Sequence, residues 1–231
     1  MRGRLRTAAP FHLEATVRVL QRRPENRVDR WEHNRYQRLL GAPDGLVLIE
    51  VHNQGTIDEP DVRYALRQLG DSVAARPWLL RTLRRVLGLD VDPEPLRHLA
   101  RAERKLRPAA LALRGMRPPR FTGLFEAFAN VVPFQQLSLD AGVAIVGRLV
   151  ERFGRCLEHG GRRSYVFPTA EAIAGAHLAG LRQCGLSARK AETLRSMARA
   201  IASGELNEEE IARMSSAQAV RFLSELAGIG P

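Results

Sequence analysis

Two glutamines in the stretch Val131-Val-Pro-Phe-Gln-Gln-Leu-Ser138 stand directly ahead of an amphipathic helical pattern. Amides placed there have more than one use. They can cap backbone groups at the helix start. Alternatively, Gln135 and Gln136 can present donors and acceptors to a base edge, or fill the gap left when a nucleotide leaves its stack. A second stretch, Leu226-Ala-Gly-Ile-Gly-Pro231, follows an amphipathic pattern over Ser215 to Leu226 with Ala219, Phe222, Leu223 and Leu226 at helical spacing. Gly228 and Gly230 permit a sharp turn, and Pro231 suits the first turn of a following helix. Such a hairpin turns backbone N–H groups and a helix N-terminus outward, where they can meet a phosphate. Gly-x-Gly after a helix is also an ordinary C-cap, so the hairpin by itself does not decide the matter.

The elements that must carry these stretches are helical. The rigid break Arg117-Pro-Pro-Arg120 suggests a domain boundary at 115/116, dividing the chain into 1–115 and 116–231. Beyond it, Leu124, Phe125, Phe128 and Val132 share one stripe and predict a helix over 121–132. Ser138 caps a long predicted helix to Phe153, with Leu139, Val143, Val146 and Val150 as its buried side. Thr169 opens another helix with the spacing of a capping box. A further helix runs from Ser187 to Ala202, and Asn207 caps a short acidic one.

The first half reads differently. Phe11, Leu13, Ala15, Val17 and Val19 alternate with polar residues, which predicts a half-buried strand over 11–20. Further strand signals lie within 28–40, with Trp31 and Tyr36 as packing residues, then at 46–51 and 62–66. Ala42-Pro-Asp-Gly45 is a turn signal, since proline presets φ and Asp-Gly tolerates positive φ. From Pro77 the period becomes helical, with a helix to Gly88 and another opened by Asp92-Pro93. Strands first and helices later define an α+β chain: an antiparallel sheet with helices, followed by an all-helical domain.

Composition narrows the function. Hydrophobic residues make up 45% of the 231, enough for a core, and no run is long enough to span a bilayer. The basic N-terminus lacks the apolar core of a signal peptide, so a cytoplasmic location is expected. Cys156 and Cys184 lie in helical patterns without metal or redox spacing, and His12, His33 and His52 fall on separate elements. No metal or cofactor is expected. The net charge of +11 favours a polyanion. That charge sits mainly in residues 1–120, with 24 basic and 14 acidic side chains against 12 and 11 in the remainder. All but Lys105 and Lys190 of the 36 basic residues are arginine, a bias that codon composition also produces.

Three stretches in order, Arg114-Gly-Met-Arg-Pro-Pro-Arg-Phe-x-x-Leu-Phe-Glu126, Gln135-Gln-Leu-Ser138 and Leu226-Ala-Gly-Ile-Gly-Pro231, carry a family resemblance. Phe167-Pro-Thr-Ala and Arg189-Lys-Ala-Glu-Thr-Leu194 lie between them. Together they resemble the DNA-3-methyladenine glycosylase II family of the helix-hairpin-helix superfamily, with the strand-rich first half similar to that family's N-terminal domain. The resemblance implies double-stranded DNA with alkylated bases as partner, extrusion of the damaged purine and hydrolysis of its N-glycosidic bond. It also implies that Leu226, Gly228, Ile229 and Gly230 grip the DNA backbone. Gln135, Gln136 and Ser138 form the loop from which a side chain enters the duplex, Gln136 being the inserted one. Backbone carbonyls of Ser224, Leu226 and Ile229 are candidate contributors to a monovalent-cation site of the kind family hairpins hold.

Two departures matter. The family commonly has glycine where this chain has Phe134. Its essential aspartate lies beyond the hairpin, so no catalytic residue is assigned here, and Asp140 reads as a solvated helix-face carboxylate. The chain is therefore expected to be a truncated glycosylase, inactive alone and exposing apolar surface on Phe222, Leu223 and Leu226. A separate C-terminal fragment would be its complement. A non-catalytic DNA-binding remnant and a basic helical interaction module are the alternatives.

Overall fold

The computed structural model describes residues 1–42, 45–69, 76–159 and 161–226. The chain divides into two compact units, residues 1–122 with 156–166, and residues 123–155 with 167–231. The first holds a five-stranded antiparallel sheet in the order β1-β5-β4-β3-β2. Its strands are β1 (Arg2–Leu5), β2 (Arg30–Glu32), β3 (Arg35–Ala42), β4 (Gly45–Asn53) and β5 (Val62–Leu69). The strand signals between 28 and 66 are thus realised as a meander. Ala42 pairs with Gly45 across the predicted turn, whose Pro43 and Asp44 lie outside the described residues.

The strand predicted over 11–20 is a helix, α1 (Leu13–Gln21). Its buried positions are Leu13, Thr16, Val17, Leu20 and Gln21, spaced for a helical face, and Val19 is exposed. Alternation misleads here because Leu13 and Val17 satisfy both periods. Polar groups settle the outcome. His12 Nδ1 accepts from Ala15 N at 3.2 Å as the N-cap, and Glu14 pairs with Arg18 one turn on. The Thr16 hydroxyl donates to His12 O at 2.9 Å and accepts from Arg117 N at 3.0 Å. A strand would leave buried Thr16 without these partners.

Helices α2 (Arg76–Val86), α3 (Glu94–Ala102) and α4 (Arg107–Ala112) follow. Leu79, Leu83, Val86 and Leu87 join Phe11, Val17, Ile49 and Val51 in one core. Within this unit Asp29, Tyr36 and Arg38 are all buried. Tyr36 Oη and Arg38 Nη1 donate to the same Asp29 oxygen, at 2.7 and 2.9 Å. A hairpin absent from the sequence reading, β6 (Cys156–His159) and β7 (Arg162–Tyr165), belongs to this unit rather than to the helical one. Arg30 Nη2 donates to Arg163 O at 2.6 Å, and Arg162 pairs with Glu32.

The second unit contains α5 (Leu124–Ala129), α6 (Leu139–Phe153), α7 (Ala170–Ala174), α8 (Leu178–Gln183), α9 (Ala188–Ala202), α10 (Glu208–Arg213) and α11 (Ser216–Ser224). Helix α9 is its centre, burying Ala191, Leu194, Met197 and Ala198, with α5, α7 and α8 packed against it. Phe125 and Phe167 meet edge to face at 6.4 Å between ring centroids. The helix predicted over 121–132 stops at Ala129, and a 3-10 turn (Val132–Phe134) follows, because Pro133 has no N–H to continue an α-helical ladder. Thr169 caps α7 through Ala172 N at 3.2 Å, but Glu171 sits one position short for the reciprocal bond. The complete capping box is Ser215 with Gln218 on α11.

The two cysteines differ sharply: Cys156 is exposed, whereas Cys184 is buried and its Sγ lies 3.5 Å from Gly180 O. Burial pushes the Cys184 thiol up, against the smaller pull of Arg152 and Arg148. One thiol, that of Cys156, is therefore expected to react with a disulfide reagent in the native protein and two after denaturation. Equal reactivity of both before denaturation would contradict this burial.

Candidate functional site

The glutamine stretch is built by three local devices. Val132 and Pro133 are buried at the 3-10 turn and fix where the chain leaves the core. Ser138 caps α6, its Oγ accepting from Ala141 N at 3.2 Å. Between these two anchors, Leu137 N donates to Phe134 O at 3.2 Å, closing a four-residue turn. Gln135 has φ −56° and ψ 125°, and Gln136 has φ 57°. Those angles define a type II β-turn, whose third position requires positive φ and is ordinarily glycine or asparagine. Here it is a glutamine, in a backbone region that costs a side-chain-bearing residue about 1–2 kcal/mol.

Neither glutamine acts as a cap. Both are exposed, and among the described residues neither side-chain amide has a hydrogen-bond partner within the protein. Around them lie exposed apolar side chains: Val131, Leu137 and Leu139. Leu139 was expected on the buried side of α6, together with Val143, Val146 and Val150; it is instead 40% exposed, and Val146 is only half-buried. At the first position of a helix, the chain has not yet turned onto the packed face. The result is an exposed turn with two uncommitted amides beside exposed apolar side chains.

Phe134, in place of the expected glycine, is accommodated from the far side. Its ring lies so close over Gly142 of α6 that a Cβ there would fall 2.2 Å from Phe134 Cδ1. Lys190 closes the site from α9. Its Nζ donates to Pro133 O at 3.2 Å and to Gln135 O at 2.5 Å. In the sequence Lys190 falls within Arg189-Lys-Ala-Glu-Thr-Leu194, where the family resemblance gives it no role of its own. A signal was present: a cation in the first turn of a helix opposes the helix dipole, which points to a contact made elsewhere.

Of the hairpin residues, Leu226 is half-buried and its N–H donates to Leu223 O at 3.2 Å. Gly228, Ile229 and Gly230 lie outside the described residues, as does Pro231. On α11, Phe222 and Leu223 are half-buried, and Val220 is 62% exposed. The described carboxylates near the glutamine turn do not form a reaction centre. Asp140 is exposed in the first turn of α6, and Glu126 is buried on α5 and engaged within the protein. Among the described residues no cluster of His, Cys, Asp or Glu could hold a metal, and no helix is long and apolar enough to cross a membrane.

Comparison with known proteins agrees with this architecture. Residues 3–122 match the AlkA N-terminal domain, and residues 130–227 match the HhH-GPD superfamily base excision DNA repair protein family. The chain belongs to the AlkA-like branch of the helix-hairpin-helix DNA glycosylases. It is 31% identical over 167 residues to the DNA-3-methyladenine glycosylase of Bacillus subtilis (strain 168), covering 71% of this chain and 55% of that one. The DNA-3-methyladenine glycosylase 1 of Schizosaccharomyces pombe is 34% identical over 107 residues, 46% of this chain and 43% of that one. The chain thus spans about half the length of these curated relatives. Among solved structures, a 3-methyladenine DNA-glycosylase from Archaeoglobus fulgidus has a TM-score of 0.76 at 28% identity, covering 100% of this chain and 75% of that one.

Proposed function

We propose that this chain is the DNA-binding and base-extruding part of an alkylated-purine DNA glycosylase. The observation that carries the reading is Gln136, held at the positive-φ position of an exposed type II turn with its amide uncommitted. A glutamine at positive φ has no local conformational rationale. On a duplex it has one, since its amide and stem can enter the stack and replace an extruded nucleotide. Gln135 and Ser138 accompany it in the loop, and Leu226, Gly228, Ile229 and Gly230 are the proposed grip on the backbone. Alkylated purine is weakly stacked and cationic, so it is both cheaper to extrude and a better leaving group. Hydrolysis of its N-glycosidic bond then needs a carboxylate that stabilises the oxocarbenium-like sugar and orients water. None of the residues described above is assigned that role. On this reading the protein works in the cytoplasm at the nucleoid, and the carboxylate is supplied by sequence outside these 231 residues, in the same chain or as a separate fragment. The alternative of a non-catalytic DNA-binding remnant shares the loop and differs only in that step.

The test is binding of the chain to two duplexes, one intact and one with a stable abasic analogue, followed by fluorescence anisotropy. The wild type should prefer the abasic duplex, because the gap is already open. Gln136→Ala should lower that preference about tenfold, the equivalent of one or two lost hydrogen bonds. Equal affinity of the wild type for both duplexes would refute insertion.

A further inference from the structure

We propose that Lys190 is a positioning residue that holds the glutamine turn in its type II form and so aims Gln136. The proposal rests on the inserting role given to Gln136 above. A Gln-Gln turn has a cheaper alternative. In a type I turn both central residues have negative φ, which suits any side chain, whereas type II forces Gln136 to positive φ. The two forms differ by rotation of the peptide between Gln135 and Gln136, which carries the Gln135 carbonyl from one side of the turn to the other. That carbonyl is the one Lys190 Nζ holds, at 2.5 Å. The same ammonium binds Pro133 O at 3.2 Å, within the 3-10 turn. It therefore ties the rotating peptide to the buried turn before it.

Three further features fit this task. Lys190 is itself fixed, since its backbone N–H donates to the Ser187 Oγ cap of α9 at 3.3 Å. The ammonium is a compact centre with three donors, able to serve two carbonyls from one point; a planar guanidinium spreads its donors in a fork. This is one of only two lysines among 36 basic residues. The start of the turn is fixed separately by Phe134 against Gly142, where no side chain could be added without moving the ring. With these contacts in place, the freedom that remains is the peptide flip, and Lys190 blocks it. Two of its three donors are taken by carbonyls of its own chain, which fits a positioning role rather than a phosphate contact.

The experiment compares the wild-type chain with Lys190→Met in two ways. Free of DNA, nuclear Overhauser spectra of the turn distinguish the forms. Type II places Gln135 Hα close to the Gln136 amide proton, and type I places the two amide protons close together. The wild type should show the first pattern and Lys190→Met the second. On DNA, 2-aminopurine beside an abasic analogue reports local unstacking. Its rise should fall about tenfold in Lys190→Met, matching the preference against an unsupported left-handed residue. The salt slope of binding should stay as in the wild type, because no phosphate contact is lost. A type II pattern that persists in Lys190→Met overturns the proposal and leaves the insertion reading standing. So does a salt slope reduced by about one, the mark of a lost phosphate contact. A wild type that is type II yet gives no 2-aminopurine rise on any duplex overturns the insertion reading, and with it the aiming role given to Lys190.

Discussion

On methylated duplex DNA, the 231-residue chain is expected to release free methylated purine no faster than a protein-free control. A preparation that also carries the family's carboxylate should release it about 10²–10⁴ faster, the usual worth of a positioned acid–base group. The reason lies in the carboxylates near the glutamine turn. Asp140 is exposed in the first turn of α6, where its charge favours the helix N-terminus. An exposed carboxylate is screened by water and does little to steady a transient cation on a sugar. Glu126 is buried but engaged within the protein, a structural use. The assay is chromatography of released bases, with the short and extended preparations run side by side. If the short chain turns over, the assignment of the chemistry to other sequence is wrong. Asp140→Asn and Glu126→Gln would then show which carboxylate acts.

The second large effect concerns folding. Asp29→Ala should cost the first unit about 3–5 kcal/mol, because it removes the buried carboxylate to which the Arg38 guanidinium and the Tyr36 hydroxyl both donate. That is a large share of a typical domain stability, and the melting temperature should fall by roughly 10 °C or more. Urea unfolding followed by tryptophan fluorescence measures it; a loss below about 1 kcal/mol would mean the pair is not closed in solution. The same cluster sets an alkaline limit. Burial, and after it the Asp29 charge, hold the Tyr36 hydroxyl well above its usual 10.0. The unfolded chain loses that proton near its ordinary value while the folded one keeps it. The stability tied to Tyr36 is thus complete below about pH 10 and is lost as the pH rises beyond it. Tyr36→Phe should be less stable at neutral pH but show a shallower decline above about pH 10.

Much of this protein can be read along the chain. Caps at Ser138, Thr169 and Asn207 form as predicted, since each depends on a bond to an amide within a few residues. The strands from 30 to 69 and the helices around α9 follow from hydrophobic periods that survive in any context that buries one face. Order and spacing of the stretch from Arg114 to Glu126, the glutamine loop and the segment ending in Gly-Ile-Gly-Pro, with the two motifs between them, indicate the family that the comparisons show. What the sequence could not decide are the places where distant segments arbitrate between local options. Residues 13–20 fit two periods, and Arg117, about a hundred positions away, bonds to Thr16 in the helical form. The hairpin at 156–165 belongs with a sheet finished many residues earlier. The form of the glutamine turn is the sharpest case. Nothing in Phe-Gln-Gln-Leu favours type II, and its local preference is the opposite. Lys190 and Gly142, on two separate helices, make the disfavoured form the stable one. A short-range preference of about 1–2 kcal/mol is overridden by a charged contact and a packed ring that only the tertiary fold brings together.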